Sequence, residues 1–216
     1  MSSVPKAPES IAEWRPASPR TGPFNRAFDL LCAVGGLIGL SPLLCAIAVA
    51  IKWDDGGPVF FTQDRIGKGF RHFRVWKFRS MVTDADRGGL LTAPADSRLT
   101  GIGRVLRRYK LDELPQLFNV LLGDMQLVGA RPEVEPYVQM FRSQYEAILQ
   151  DRPGITDPAS LAYRREDQMF SLDRMEQQYV EEILPAKLKL SLDYQQRRNF
   201  LSDLGILART ALEWMQ

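Results

Sequence analysis

From Leu30 to Ile51 the chain reads LLCAVGGLIGLSPLLCAIAVAI, apolar on every side and without a charged residue. A soluble amphipathic helix would show a polar face, and this stretch shows none. Its length is close to the ~20 residues that a bilayer crossing needs, so it is predicted to enter a membrane. Arg26 and Asp29 precede it, and Lys52, Asp54 and Asp55 close it. Ser41-Pro42 falls at its middle. Proline removes a helix hydrogen bond and bends the axis there, while Ser41 can satisfy a freed carbonyl. Two topologies are compatible with that pattern: a kinked helix that spans, or a bent one that dips into one leaflet and returns. Composition does not choose between them.

The remaining chain changes period repeatedly. Met1 to Pro23 is rich in proline and serine and has no apolar period, which predicts a disordered arm; it lacks the apolar core and cleavage site of a signal peptide. Asp54-Asp55-Gly56-Gly57-Pro58 is a turn. Val59 to Gln63 and Phe73 to Phe78 read as strands joined by a loop with Gly67, Lys68 and Gly69. Thr83 to Arg98 is polar, a loop of the kind that closes over a substrate. Pro115 predicts a helix that begins near Asp112 and carries Leu117 to Leu122. Helical spacing recurs over Glu133 to Leu149 and Met175 to Arg198, the latter interrupted at Pro185, and Leu204 to Trp214 has an apolar face. Arg152-Pro153-Gly154-Ile155-Thr156 marks a turn. The expected class is α+β: an arm over 1–23, a membrane helix over 24–52, and one domain over 53–216.

Composition narrows the chemistry. The net charge of +2 gives no electrostatic call for nucleic acid. Two cysteines, Cys32 and Cys45, sit in the apolar stretch without metal-ligand spacing or a disulfide framework. His72 is the single histidine, which argues against Ser-His or multi-histidine metal chemistry. Acids, bases and nucleophiles must therefore come mainly from Asp, Glu, Lys or Tyr. That focuses attention on Asp112-Glu113, preceded by Arg104, Arg107, Arg108 and Lys110. Carboxylates and cations at a helix start are the parts of a phosphoryl-transfer site. An ordinary N-cap beside a solvated arginine face explains the same stretch.

Several segments in order resemble one family: the apolar stretch with central Ser41-Pro42, then Gly57-Pro58-Val59-Phe60-Phe61-Thr62-Gln63-Asp64-Arg65-Ile66-Gly67, and Lys77-Phe78-Arg79-Ser80-Met81. Leu111-Asp112-Glu113-Leu114-Pro115-Gln116-Leu117 follows, with Gly123-Asp124-Met125, Val128-Gly129-Ala130-Arg131-Pro132 and Arg152-Pro153-Gly154-Ile155-Thr156. The set resembles the monotopic phosphoglycosyl transferases, the bacterial sugar transferase family, over about Phe24 to Trp214, in a minimal single-domain form.

The resemblance implies transfer of a sugar-1-phosphate from a UDP-sugar to polyprenyl phosphate, with release of UMP and a requirement for Mg²⁺. It implies a re-entrant helix broken at Ser41-Pro42 and a catalytic domain on the cytoplasmic face of the bacterial inner membrane. Membrane lipids and downstream glycosyltransferases are the implied partners, and a homodimer is compatible with it. The family's dyad falls on Asp112, as nucleophile toward the sugar-bearing phosphate, and Glu113; both are the implied Mg²⁺ ligands. Lys77, Arg107, Arg131, Arg152 and Arg164 match its phosphate-binding cations. Two segments depart from the family: Asp157-Pro158-Ala159-Ser160 replaces a Gly-Trp-Ala or Gly-Pro-Ala run, and Asp193-Tyr194-Gln195-Gln196-Arg197 lacks the usual Tyr-Tyr-Val. Both put the identity of the sugar in doubt. Two rivals remain: a membrane-anchored, non-catalytic binding or regulatory relative, and a bitopic protein that holds anionic lipid through Arg104 to Lys110.

Overall fold

The structure is a computed structural model and describes residues 22–83, 85, 91, 96–170 and 174–214. Most of the expected arm and several residues of the expected closing loop lie outside them.

The apolar stretch forms two helices, α1 (Pro23–Gly39) and α2 (Ser41–Asp55), bent by 60° at Leu40. The break falls one residue before Ser41, whose hydroxyl donates to the Ile38 carbonyl at 2.7 Å. Pro42 sits in the first turn of α2, where its missing N–H costs no helix bond. No single helix among the described residues is long and apolar enough to cross a membrane, although the bent pair together has the length and composition. Leu31, Ile38, Val49 and Trp53 are exposed, while Ala33, Ile47 and Ile51 face the domain. A β-carbon at Gly36 would lie 3.2 Å from Leu117 Cδ1, so glycine lets α1 lie close on the helix that follows the dyad.

Strands β1 (Phe60–Ile66) and β2 (His72–Phe78) pair antiparallel, Phe60 opposite Phe78 and Ile66 opposite His72. α3 (Gly101–Arg108) starts where the Thr100 hydroxyl accepts from Gly103 N–H at 3.0 Å. A β-carbon at Gly103 would sit 1.9 Å from the Ser80 carbonyl oxygen, so only glycine permits this docking. The chain reverses at Lys110, which adopts φ +55°, a conformation costly for a side-chain-bearing residue. A 3₁₀ turn, Leu111–Glu113, carries the dyad, and α4 (Gln116–Leu122) follows. The expected helix start near Asp112 is thus a tighter turn, with Pro115 immediately before the α-helix. Asn119 in α4 is fully buried and bonds both ways to the β2 edge, accepting from Trp76 N–H at 2.9 Å and donating to the Arg74 carbonyl at 2.7 Å.

β3 (Gln126–Val128) pairs parallel with β4 (Gly154–Thr156), connected through α5 (Glu135–Met140) and α6 (Arg142–Ile148). These two helices replace the single stretch expected over Glu133 to Leu149, with the break at Phe141. α7 (Pro158–Ala162) is capped by Asp157, whose carboxylate accepts from Ser160 N–H at 2.7 Å. α8 (Met175–Gln178) runs through a π-helical turn, Tyr179–Ile183, into α9 (Leu184–Arg197). The interruption expected at Pro185 is therefore a widened turn rather than a chain break, as proline's missing donor favours. α10 (Phe200–Trp214) closes the described fold. One apolar core joins α5, α6 and α9, a second joins α1, α4, β3 and α10, and a third joins α2 to α3.

Candidate active site

The 3₁₀ turn buries both dyad carboxylates; Asp112 is 6% and Glu113 8% exposed. Their partners differ. Arg131, reached from the end of β3, grips Glu113 with both guanidinium nitrogens, one of them at 2.8 Å from Oε2. Burial opposes ionisation of Glu113, but Arg131 and Lys77 outweigh it and hold the carboxyl far below its usual range. Asp112 Oδ1 is buried and has no hydrogen-bond partner. Burial first, and the Glu113 charge second, raise the Asp112 carboxyl, while Lys77, Arg107 and Lys110 pull it down. Lys77 on β2 is itself pushed down to about 8 by burial, against the attraction of Glu113. The site thus holds one carboxylate tied up by a guanidinium and one kept among cations without a bonded partner.

The five cations expected to bind phosphate separate in space. Lys77, Arg107 and Arg131 converge electrostatically on the dyad. Arg107 is steadied by Nε donation to the Ser80 hydroxyl at 3.0 Å. Arg164 lies on an open cleft that also borders Lys110, Glu113 and Arg131. Asp112 is not part of the cleft wall, but Lys110 and Glu113 on either side of it are. Arg152 is not brought to this cluster: its Nε donates to the Gly123 carbonyl at 2.7 Å, and its charge meets that of Arg26 at the far end of α4. Ser41 and Pro42 shape the helix bend.

Sequence reasoning missed three contributors. Gln116 Oε1 is a second buried oxygen without a partner, one turn beyond Asp112. Arg65 and Glu133 pair at 2.5 Å, and the Tyr179 hydroxyl donates to Glu133 at 2.6 Å, a buttress beside Arg131. Glu213 reaches the cleft from α10. Gln116 and Arg65 lay inside recognised motifs and could have been weighed there, whereas the others depend on contacts across the fold.

Among the described residues no three His, Cys, Asp or Glu side chains cluster as a metal site. The donor chemistry nevertheless fits Mg²⁺, which prefers hard oxygens and takes few from protein when phosphates supply the rest. Asp112 Oδ1 and Gln116 Oε1 are such oxygens. Glu113 could join them only by giving up its pair with Arg131.

The sequence model of the family described as "Bacterial sugar transferase" matches residues 20–216. The chain is 38% identical over 189 residues to a UDP-N-acetylgalactosamine-undecaprenyl-phosphate N-acetylgalactosaminephosphotransferase of Aeromonas hydrophila, covering 85% of this chain and 41% of that one. It is 40% identical over 194 residues to a UDP-glucose:undecaprenyl-phosphate glucose-1-phosphate transferase of Escherichia coli, covering 88% and 39%. It is 38% identical over 165 residues to the exopolysaccharide production protein ExoY of Sinorhizobium fredii, covering 69% and 72%. The chain therefore spans about two fifths of the first two relatives and nearly three quarters of the third.

Proposed function

The chain belongs to the bacterial sugar transferase family, and from that premise we propose that it transfers a sugar-1-phosphate from a UDP-sugar to polyprenyl phosphate, releasing UMP. The observation that carries the mechanism is the buried, unpartnered Oδ1 of Asp112 among Lys77, Arg107 and Lys110. A carboxylate in that setting is a poised nucleophile whose bonding capacity is not spent on the protein. An Asp112 oxygen attacks the sugar-bearing phosphorus, the bridge to the uridine-bearing phosphate breaks, and UMP leaves with the bridging oxygen. A phosphate oxygen of the polyprenyl carrier then attacks the aspartyl-linked phosphorus. That step forms the diphosphate-linked product and frees Asp112.

Glu113 keeps Arg131 charged and aimed, while Lys77 and Arg107 stabilise charge spread over the phosphoryl oxygens. Mg²⁺, held by Asp112 and Gln116 with phosphate oxygens completing the set, would neutralise diphosphate charge. The bent pair α1–α2 would sit as a re-entrant element, both ends on the cytoplasmic face of the bacterial inner membrane. The lipid-linked product would pass to downstream glycosyltransferases of a surface glycan.

The test is UMP release by detergent-solubilised protein given Mg²⁺, undecaprenyl phosphate and a panel of UDP-sugars. Omitting the acceptor should leave protein heavier by one sugar phosphate, and Asp112→Asn should abolish both signals. Turnover without any covalent adduct would sink the two-step route. Silence with every sugar, despite UDP binding, would favour the non-catalytic relative.

A further inference from the structure

Two carboxylates, Asp54 and Asp55, end α2. A helix C-terminus is the negative end of its dipole, so acids there weaken the helix that carries them. Both side chains bind the domain instead. Asp54 Oδ2 accepts from Ile102 N–H at 3.0 Å, in the first turn of α3. Asp55 takes both terminal nitrogens of Arg79, with Nη1 at 2.5 Å from Oδ2. Arg79 is buried and also donates to backbone, Nε to the Pro58 carbonyl at 2.6 Å and Nη1 to that of Met81 at 3.1 Å. The next residue, Ser80, carries the link onward. Its hydroxyl accepts from Arg107 Nε, and its carbonyl accepts from Thr100 N–H at 3.1 Å, at the cap of α3. Beside these bonds, Ile47 and Ile51 of α2 share one apolar cluster with Leu106 and Leu114, the chain neighbours of Arg107 and Glu113. Both polar routes thus leave one helix end and arrive at α3, whose last turn holds Arg107.

We propose that Asp54 and Asp55 are positioning residues for Arg107: the end of α2 sets where that guanidinium stands beside Asp112, so the apolar helix pair and the cation move as one unit. The proposal rests on the transferase reading above, in which Arg107 meets phosphoryl charge. Stabilisation by a fixed charge depends on its placement, and a small misplacement is costly in rate.

The test is a double-mutant cycle on full-length, detergent-solubilised protein given Mg²⁺, undecaprenyl phosphate and the UDP-sugar that wild type uses. Asp54→Ala, and Asp55→Asn with its amide N–H₂ turned toward Arg79, should each lower kcat/KM for UMP release by about tenfold per folded molecule. In an Arg107→Ala background the same changes should cost less than about twofold, because the cation they set is gone. Asp54→Asn, whose amide oxygen still accepts from Ile102 N–H, should stay near wild type. Equal losses in both backgrounds would make the pair an anchor of the fold alone and overturn the proposal. Full activity in both single variants would overturn it too. Where UMP release is too low to read, the same cycle is read on UDP affinity in Mg²⁺ by calorimetry. No release by wild type, with losses of affinity that vanish without Arg107, keeps the link and removes the transferase. Losses that persist without Arg107, or no loss at all, remove the link.

Discussion

Asp112 and Asp203 are buried to the same degree, 6% and 7% exposed, and could hardly be used more differently. Asp203 opens α10 and is saturated: Arg198 donates to both its oxygens at 2.8–3.0 Å, and the Tyr194 hydroxyl adds a bond at 2.6 Å. Asp112 has cations near it but an Oδ1 that bonds to nothing. Burial alone therefore says little about role. An orphaned oxygen alone says little either, since Asp151 Oδ1 is also buried and unpartnered. What sets Asp112 apart is an orphaned oxygen with Lys77, Arg107 and Lys110 arranged about it. Asp203 is spent on holding the fold together, whereas Asp112 keeps an oxygen that the fold does not use.

The strongest way to break that contrast is Asp112→Asn. It should lower UMP release by about a thousandfold or more, and leave the urea midpoint unchanged or raised because an ill-compensated charge is gone. Asp203→Ala should do the opposite. Removing the buried carboxylate that pairs with Arg198 costs about 3–5 kcal/mol in urea unfolding, with turnover per folded molecule preserved. Asp112→Asn unfolding as readily as Asp203→Ala would erase the distinction.

A pH profile sharpens it. The Asp112 carboxyl is raised, so its reactive ionised form is gained only as pH climbs through a value above the ordinary carboxylate range. Lys77, lowered to about 8, loses its charge as pH rises through that value. Turnover should form a bell whose alkaline limb lies near 8, and Lys77→Arg should remove that limb because guanidinium stays charged. A limb that persists in the variant belongs to another group. The smallest effect concerns the reversal that presents the dyad. Lys110→Gly should raise stability by about 0.5–1 kcal/mol by relieving its positive φ, while losing a cation and some turnover. A loss of stability would show that the side chain holds the turn.

Much of this was readable from the sequence because it depends on neighbours in the chain. Pro115 announced a helix start, Ser41-Pro42 a bend, and two strand-like runs joined by a loop with Gly67, Lys68 and Gly69 the β1–β2 hairpin. Boundaries shifted where local geometry had two good solutions, as when the dyad took a 3₁₀ turn before α4 began. The unreadable part depends on distant partners. Nothing in Arg131 or Arg152 says that one finds Glu113 and the other the carbonyl at the end of α4. The parallel pairing of β3 with β4 and the arrival of Glu213 at the cleft are likewise set by tertiary packing. The chain belongs to its family by motifs, but the different pairing of the two dyad carboxylates comes from the fold.

The π turn at Tyr179–Ile183 carries a consequence of phase. A helix advances about 100° per residue, so one added residue rotates everything after it by that angle about the axis. Ahead of or within the turn, Tyr179 meets Glu133; beyond it, Lys187 meets Glu166, and Ser191 meets Asp157. One helical rod therefore serves two walls of the site only because its winding slips between them. Drift in length at this turn, by even one residue, would turn the second set of contacts away from the cleft while leaving the rod itself intact.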